Sequence, residues 1–265
     1  MIRFPNCKIN IGLSVIEKRR DGYHNIETVF YPIAVEDALE IVPSTDGQTK
    51  LHFSGGCVES DNIVIKAYNL MGQHFQLPPL HFYLHKIIPV GAGLGGGSSD
   101  AACTLKMIND MFKLSLSKEQ LLDFAEQLGA DCSFFIDNVP VFATGKGNIF
   151  QQIELDLSQY EILLVKPPCA VNTKEAYENI IPQKATYHLI EAIKQPISEW
   201  NNLIFNDFEN FAFKKHPEIK NIKETLYEKG AIYASMSGSG SAVYGIFDHI
   251  PQISFSENYI TFQIQ

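Results

Sequence analysis

Five of the chain's 18 glycines fall within seven positions, in the run Pro89-Val90-Gly91-Ala92-Gly93-Leu94-Gly95-Gly96-Gly97-Ser98-Ser99-Asp100. Lacking Cβ atoms, such a run can turn successive backbone N–H groups toward one concavity. A helical pattern follows at once, with Ala101, Leu105, Ile108 and Phe112 on one stripe. Backbone donors at a helix N-terminus make an anion site, typically for phosphate. A plain turn needs one or two glycines, not five followed by two hydroxyls and a helix.

Three phosphate-binding patterns compete for this segment. A Walker A loop requires Lys directly after its last glycine, and none stands there. The Rossmann spacing matches at Gly91, Gly93 and Gly96, but the region about 20 residues on, where an acid should end a second strand, lies inside a helical pattern. The protein-kinase loop lacks its later HRD and DFG motifs. What remains is a Gly-Ser loop feeding a helix that carries Asp100. A carboxylate beside a polyphosphate repels it unless a divalent cation intervenes, so a nucleoside triphosphate with Mg²⁺ is the economical ligand.

The rest of the composition sets bounds. With 265 residues, 45% hydrophobic, the chain can bury a large core without disulfides or metals. Lys plus Arg number 21 against 30 Asp plus Glu, a net charge of −9 that argues against nucleic acid or an anionic membrane as partner. It leaves room for anionic small molecules at a local cradle. Cys7, Cys57, Cys103, Cys132 and Cys169 are scattered and never form a CxxC pair, which predicts free thiols in a reducing cytoplasm. The apolar start, Ile9 to Ile16, has no signal-peptide cleavage pattern.

Positioning this loop falls to strands before it and helices after it. Strand patterns cover Arg3 to Val15, Glu27 to Ile33, Ala38 to Val42, Leu51 to Phe53 and Leu80 to His85, with one helix from Asn62 to about His74. A capping box at Ser117 and Gln120 opens a helix that Gly129 stops. Strands are expected at Val139 to Ala143 and Glu161 to Val165, and helices at 173–181, 185–194, 202–213 and 217–229. Strands at Ala231 to Met236, Ala242 to Phe247 and Tyr259 to Ile264 end the chain. Segregated strands and helices predict an α+β architecture with domains over 1–153 and 154–265.

These motifs together resemble the GHMP kinase superfamily, essentially end to end. The resemblance begins at Lys8-Ile9-Asn10-Ile11-Gly12-Leu13 and Arg19-Arg20-Asp21-Gly22-Tyr23-His24. It runs through the loop from Ile88 to Ala102 and Gly129-Ala130-Asp131 to Ser237-Gly238-Ser239-Gly240-Ser241. It implies a two-domain fold, a ribosomal-protein-S5-like N-terminal domain that binds ATP and a ferredoxin-like α/β sandwich, with the substrate cleft between. The central loop marks the superfamily. The Asp-Gly-Tyr-His loop beside Lys-Ile-Asn is similar to members that phosphorylate the 2-hydroxyl of a cytidine-diphosphate-linked methylerythritol in non-mevalonate isoprenoid synthesis. Sibling kinases for mevalonate, homoserine or sugars, and a nucleotide-binding regulator without catalysis, are the alternatives.

On that resemblance Asp131 is the catalytic proton acceptor, with Lys8 close beside it to polarise the hydroxyl and keep the acid ionised. On pattern alone Asp131 reads better as the N-cap of the next turn, and Lys8 equally well as a surface lysine. ATP is implied to contact Pro89, Gly91, Gly93, Leu94, Gly95, Gly96, Gly97, Ser98 and Ser99, together with Asn62 and Lys86. The cytidyl substrate is implied at Asn10, Tyr23, His24, Asp131 and Tyr177, the last as one face of a cytosine sandwich, and at Gly238 and Ser239. A simple hairpin remains the alternative for Ser237 to Gly240. One departure stands out: Gly145-Lys146-Gly147-Asn148 occupies a place where the family often shows Gly-x-Gly-Glu.

Overall fold

The computed structural model describes residues 1–55, 62–184 and 188–265. Cys57 and the first three residues of the helix expected over 185–194 lie outside them. Among the described residues the strands, in chain order, are β1 (Ile2–Arg3), β2 (Asn6–Lys18), β3 (His24–Glu36), β4 (Ala38–Pro43), β5 (Lys50–Ser54), β6 (Leu80–His85), β7 (Val141–Thr144), β8 (Ile149–Gln152), β9 (Glu161–Lys166), β10 (Tyr233–Met236), β11 (Val243–Phe247) and β12 (Ile260–Ile264). The helices are α1 (Ile63–Gly72), α2 (Gly96–Met111), α3 (Lys118–Leu128), α4 (Phe134–Asp137), α5 (Thr173–Glu178), α6 (Leu189–Ala192), α7 (Trp200–Leu203), α8 (Glu209–Lys215) and α9 (Pro217–Glu228). Among the described residues no helix is long and apolar enough to cross a membrane.

The expected cut at 153 divides the chain in sequence, whereas packing divides it in space. One compact unit gathers Met1–Cys7, Ala34–Val90 and Gly95–Val139; the other gathers Lys8–Ile33, Gly91–Leu94 and Pro140–Gln265.

In the first unit a sheet of order β1-β4-β6-β5 carries α1, α2 and α3. Leu39, Ile41, Phe82 and Leu84 from the strands pack with Val64, Met71, Leu105, Ile108 and Phe124 from the helices. Burying each such side chain contributes about 1.5–3 kcal/mol. β4 and β6 are antiparallel, pairing Ala38 with His85 and Pro43 with Leu80, while β5 joins β6 in parallel. The capping box forms as expected, Ser117 accepting from the Gln120 N–H and Gln120 from the Ser117 N–H.

The second unit holds two sheets, β2-β3-β7-β8 and β10-β11-β9-β12. Leu13, Val15, Leu163, Val165, Phe208, Ile222 and Leu226 share its core. The helix expected over 202–213 is broken into α7 and α8. Between them Leu13 bridges to Asn206, and the Leu13 and Asp207 backbones exchange a bond through Leu13 O. That pairing spends backbone groups a continuous helix would use. The edge strand β8 and, in the first unit, the single turn α4 are not expected from the periodicity.

Candidate functional site

The glycine run behaves as its composition requires. Gly91, Gly93 and Gly95 all have positive φ, at 64°, 78° and 71°. Gly95 is the N-cap of α2, so the helix begins at Gly96 and takes Ser98, Ser99 and Asp100 into its first turns. Its leading N–H groups have no intrahelical partner and mark an anion-binding end. At Gly93 the glycine is obligatory for a second reason: a Cβ there would come within 2.0 Å of the Ser237 carbonyl oxygen.

Around that contact the second unit builds a buried polar web. Lys8, on β2, is 3% exposed, and its Nζ donates to Asn10 Oδ1 at 2.6 Å and to the Gly93 carbonyl at 3.1 Å. The ammonium also lies 4.8 Å from the centroid of the Phe30 ring. Asn10 Nδ2 donates to Thr28 Oγ1 at 2.9 Å, and Thr28 in turn donates to the Gly12 carbonyl. Ser237 Oγ accepts from the Asn10 N–H and donates to the Gly93 carbonyl at 2.9 Å. Lys8 and Asn10 sit two apart on one strand, so the pleat turns both to the same face, away from surface water.

The turn between β10 and β11 closes this web. Asn206 Nδ2 donates to the carbonyls of Met236 and Gly238, both at 2.8 Å. Gly238 has φ +56°, and a Cβ there would stand 3.2 Å from Asn10 Oδ1. Ser239 Oγ shares a hydrogen bond with Thr173 Oγ1 at 2.8 Å. Gly238 and Ser239 thus belong to a turn tied down at several points, more than a bare hairpin connection.

The Arg19–His24 loop splits its two aromatic residues. Tyr23 is 59% exposed, with Lys146 Nζ 4.9 Å from its ring centroid. The Tyr23 N–H donates to Asp21 Oδ1 at 3.1 Å, and Arg19 forks onto the same carboxylate. His24 stacks on Tyr177 at 4.8 Å and 17°. Burial, with Lys18 nearby, lowers the His24 pKa and favours the neutral ring. Tyr177 therefore pairs directly with His24, a ring separation too small to hold a third ring between them.

In the first unit Asp131 lies in a 3-10 turn, Ala130–Cys132, half-buried. This turn packs on α2, and burial raises the Cys132 thiol pKa to about 11. Asn62 accepts from the Val64 N–H at 2.9 Å as the N-cap of α1, a role that accounts for its side-chain oxygen without a ligand. Lys86 is enclosed: its Nζ donates to Asp37 Oδ2 and, at 2.7 Å, to Asp100 Oδ2. Burial and the Asp37 charge outweigh Lys86 and push the Asp100 carboxyl up to about 7. Burial alone would lower the Lys86 pKa, but the two carboxylates raise it.

Three participants had no signature in the sequence. Asp37, Thr28 and Asn206 are single polar residues without a motif, and only their burial at 0%, 0% and 4% marks them. At position 148 Asn accepts from the Lys146 N–H and so closes the β7–β8 turn.

Comparison with known proteins identifies the family. Residues 62–146 match the model described as GHMP kinases N terminal domain, and 189–255 match GHMP kinases C terminal. The chain is 53% identical to "4-diphosphocytidyl-2-C-methyl-D-erythritol kinase" of Bacteroides thetaiotaomicron, over 99% of both chains. A crystal structure of 4-(cytidine 5'-diphospho)-2C-methyl-D-erythritol kinase superposes with a TM-score of 0.79 at 30% identity, covering 93% of this chain and 90% of that one. A mevalonate kinase structure shares the fold at TM-score 0.71 and 13% identity, covering 99% and 98%. The chain belongs to the 4-diphosphocytidyl-2-C-methyl-D-erythritol kinase family of the GHMP kinases.

Proposed function

We propose that the protein transfers the γ-phosphoryl group of ATP to the 2-hydroxyl of 4-(cytidine 5′-diphospho)-2-C-methyl-D-erythritol, a step of isoprenoid precursor synthesis. The end-to-end likeness to kinases named for that substrate carries the reading. Buried free thiols at Cys7, Cys103 and Cys132 fit a reducing cytoplasm.

Phosphoryl transfer passes through a loose transition state, so the protein's task is to align reactants and stabilise charge. In this reading the first turn of α2 and the positive-φ glycines hold the phosphates through backbone N–H groups. Asp131 accepts the proton of the acceptor hydroxyl, a contribution of roughly 10²- to 10⁴-fold. Lys8, held by dipoles at Asn10 and Gly93, supplies positive charge to the transferring group. Tyr23 offers the cytosine an aromatic face, and Asn10, His24 and the Gly238-Ser239 turn complete substrate binding.

Mg²⁺ belongs to this proposal, but Asp100 does not suit it as a ligand. Lys86 occupies one of its oxygens, and the residue is 2% exposed, so a hydrated hard cation has no access. Lys86, not a metal ion, partners the acid beside the phosphate loop. Mg²⁺ would arrive on the phosphates of ATP and keep water ligands.

The test follows ADP release with ATP, Mg²⁺ and the cytidyl substrate, against mevalonate, homoserine and galactose. Turnover confined to a sibling substrate would refute the assignment. Asp131→Asn should abolish transfer and leave nucleotide binding intact; unchanged turnover would remove Asp131 as the proton acceptor.

A further inference from the structure

We propose that Asp37, Lys86 and Asp100 form a buried positioning device that sets the first turn of α2 for nucleotide phosphates, with Lys86 acting through Asp100 instead of touching ATP. This rests on the ATP site proposed above. Three observations in the first unit carry it.

First, the three side chains are sealed from water, at 5% exposure for Lys86, 0% for Asp37 and 2% for Asp100. An enclosed ammonium with a carboxylate on two sides is not available to a ligand. Secondly, the network grips the backbone on both sides of the loop's approach. Asp37 Oδ1 accepts from the Ile87 N–H at 2.5 Å and the Ile88 N–H at 2.8 Å, fixing the chain as it leaves β6. Asp100, in the second turn of α2, is bound to the same lysine. Thirdly, the helix start fits against that grip with no slack. A Cβ on Gly96 would lie 2.7 Å from Ile88 Cγ2 and 3.4 Å from Lys86 Nζ. The segment before the loop and the N-terminus after it are thereby held in one register.

The charges explain why a carboxylate is tolerated so near an anion site. Burial raises the Asp100 pKa and so favours its neutral acid form, which limits the negative charge beside the loop. Asp100 Oδ1 has no partner among the described residues and is fully buried, an oxygen whose ionisation would be costly.

Removing Lys86 alone would strand two buried acids, so the principal variant neutralises the trio at similar volume: Asp37→Asn, Lys86→Met and Asp100→Asn together. Replacing a whole buried ionic group in this way preserves folding in known cases, whereas breaking it does not. The expected result is a folded protein by circular dichroism whose KM for ATP rises at least tenfold while KM for the cytidyl substrate stays within about twofold. Lys86→Arg, which keeps the charge, should recover part of the ATP affinity relative to Lys86→Met. A folded triple variant with wild-type KM for ATP and wild-type kcat overturns the proposal, as does an equal loss for both substrates. If the triple variant does not fold, Asp37→Asn alone decides between the same outcomes, since its amide oxygen can still accept from Ile87 and Ile88. Failure of the ATP reading itself would show differently, as a wild-type protein that binds no ATP.

Discussion

Two buried lysines, Lys8 and Lys86, make opposite use of the same side chain. Within its own unit Lys8 meets an amide oxygen, a carbonyl and an aromatic face. Lys86 meets two carboxylates. An amide oxygen and a carbonyl accept from the Lys8 ammonium within its unit, whereas carboxylates accept from that of Lys86. One arrangement suits stabilising a phosphoryl group, the other suits fixing a backbone, and residue type alone does not distinguish them. Burial of a charge costs several kcal/mol either way, and the return differs in kind.

The comparison can be broken at several points. Lys8→Met should lower kcat on the order of 10³-fold with KM for ATP little changed; a variant retaining a tenth of wild-type kcat would place Lys8 among structural residues. Lys86→Met should instead destabilise the fold by about 3–5 kcal/mol, because two acids lose their counter-charge. Denaturant unfolding would measure this, and an unshifted midpoint would show that the carboxylates do not depend on Lys86.

Gly93→Ala drives a Cβ into the Ser237 carbonyl at a backbone angle that disfavours side chains. The expected cost is about 2–4 kcal/mol of stability, with loss of activity at permissive temperature. Activity and melting point equal to wild type would separate the glycine loop from the Lys8 web.

Asp100 supplies a pH test of the other lysine. Its pKa is raised in the fold, so the native state binds more protons than the unfolded chain between the ordinary carboxylate range and about 7. Its contribution to stability is full at low pH and is lost as pH rises through 7. Asp100→Asn should therefore be more stable relative to wild type at pH 8 than at pH 5, by on the order of 2 kcal/mol. A pH-independent difference would mean that Asp100 does not titrate there.

The smallest expected effect concerns recognition. Tyr23→Ala should raise KM for the cytidyl substrate about fivefold, from the loss of one stacking face, and leave KM for ATP alone. If Tyr177→Ala alone has that effect, the platform lies on the His24–Tyr177 stack.

What was legible in the sequence was local. Gly95 ahead of α2, the Ser117 capping box, Pro217 at the start of α9 and the alternation in β6 act over a few residues, and each element formed where expected. The broken helix at Asn206 was not legible, because its cause is Leu13, nearly two hundred positions away. The motifs around Lys8, Asn10, Gly93 and Ser237 were visible one by one. The hydrogen bonds that tie β2, Gly93 and Ser237 together span 85 to 227 residues along the chain. The fate of Lys86 depended on Asp37, 49 positions distant, which no periodicity marks.

From the residues alone came the expectation of an anion cradle at a helix start, and the motifs placed the chain among kinases of small alcohols. Short-range backbone geometry suffices for that, since missing Cβ atoms act wherever the fold puts them. Tertiary structure alone decided that Lys86 meets two carboxylates and that Lys8, within its own unit, meets an amide oxygen and a carbonyl. Of those partners Gly93 and Asp37 stand far away along the chain, and the electrostatic weight of them all grows once water has been excluded.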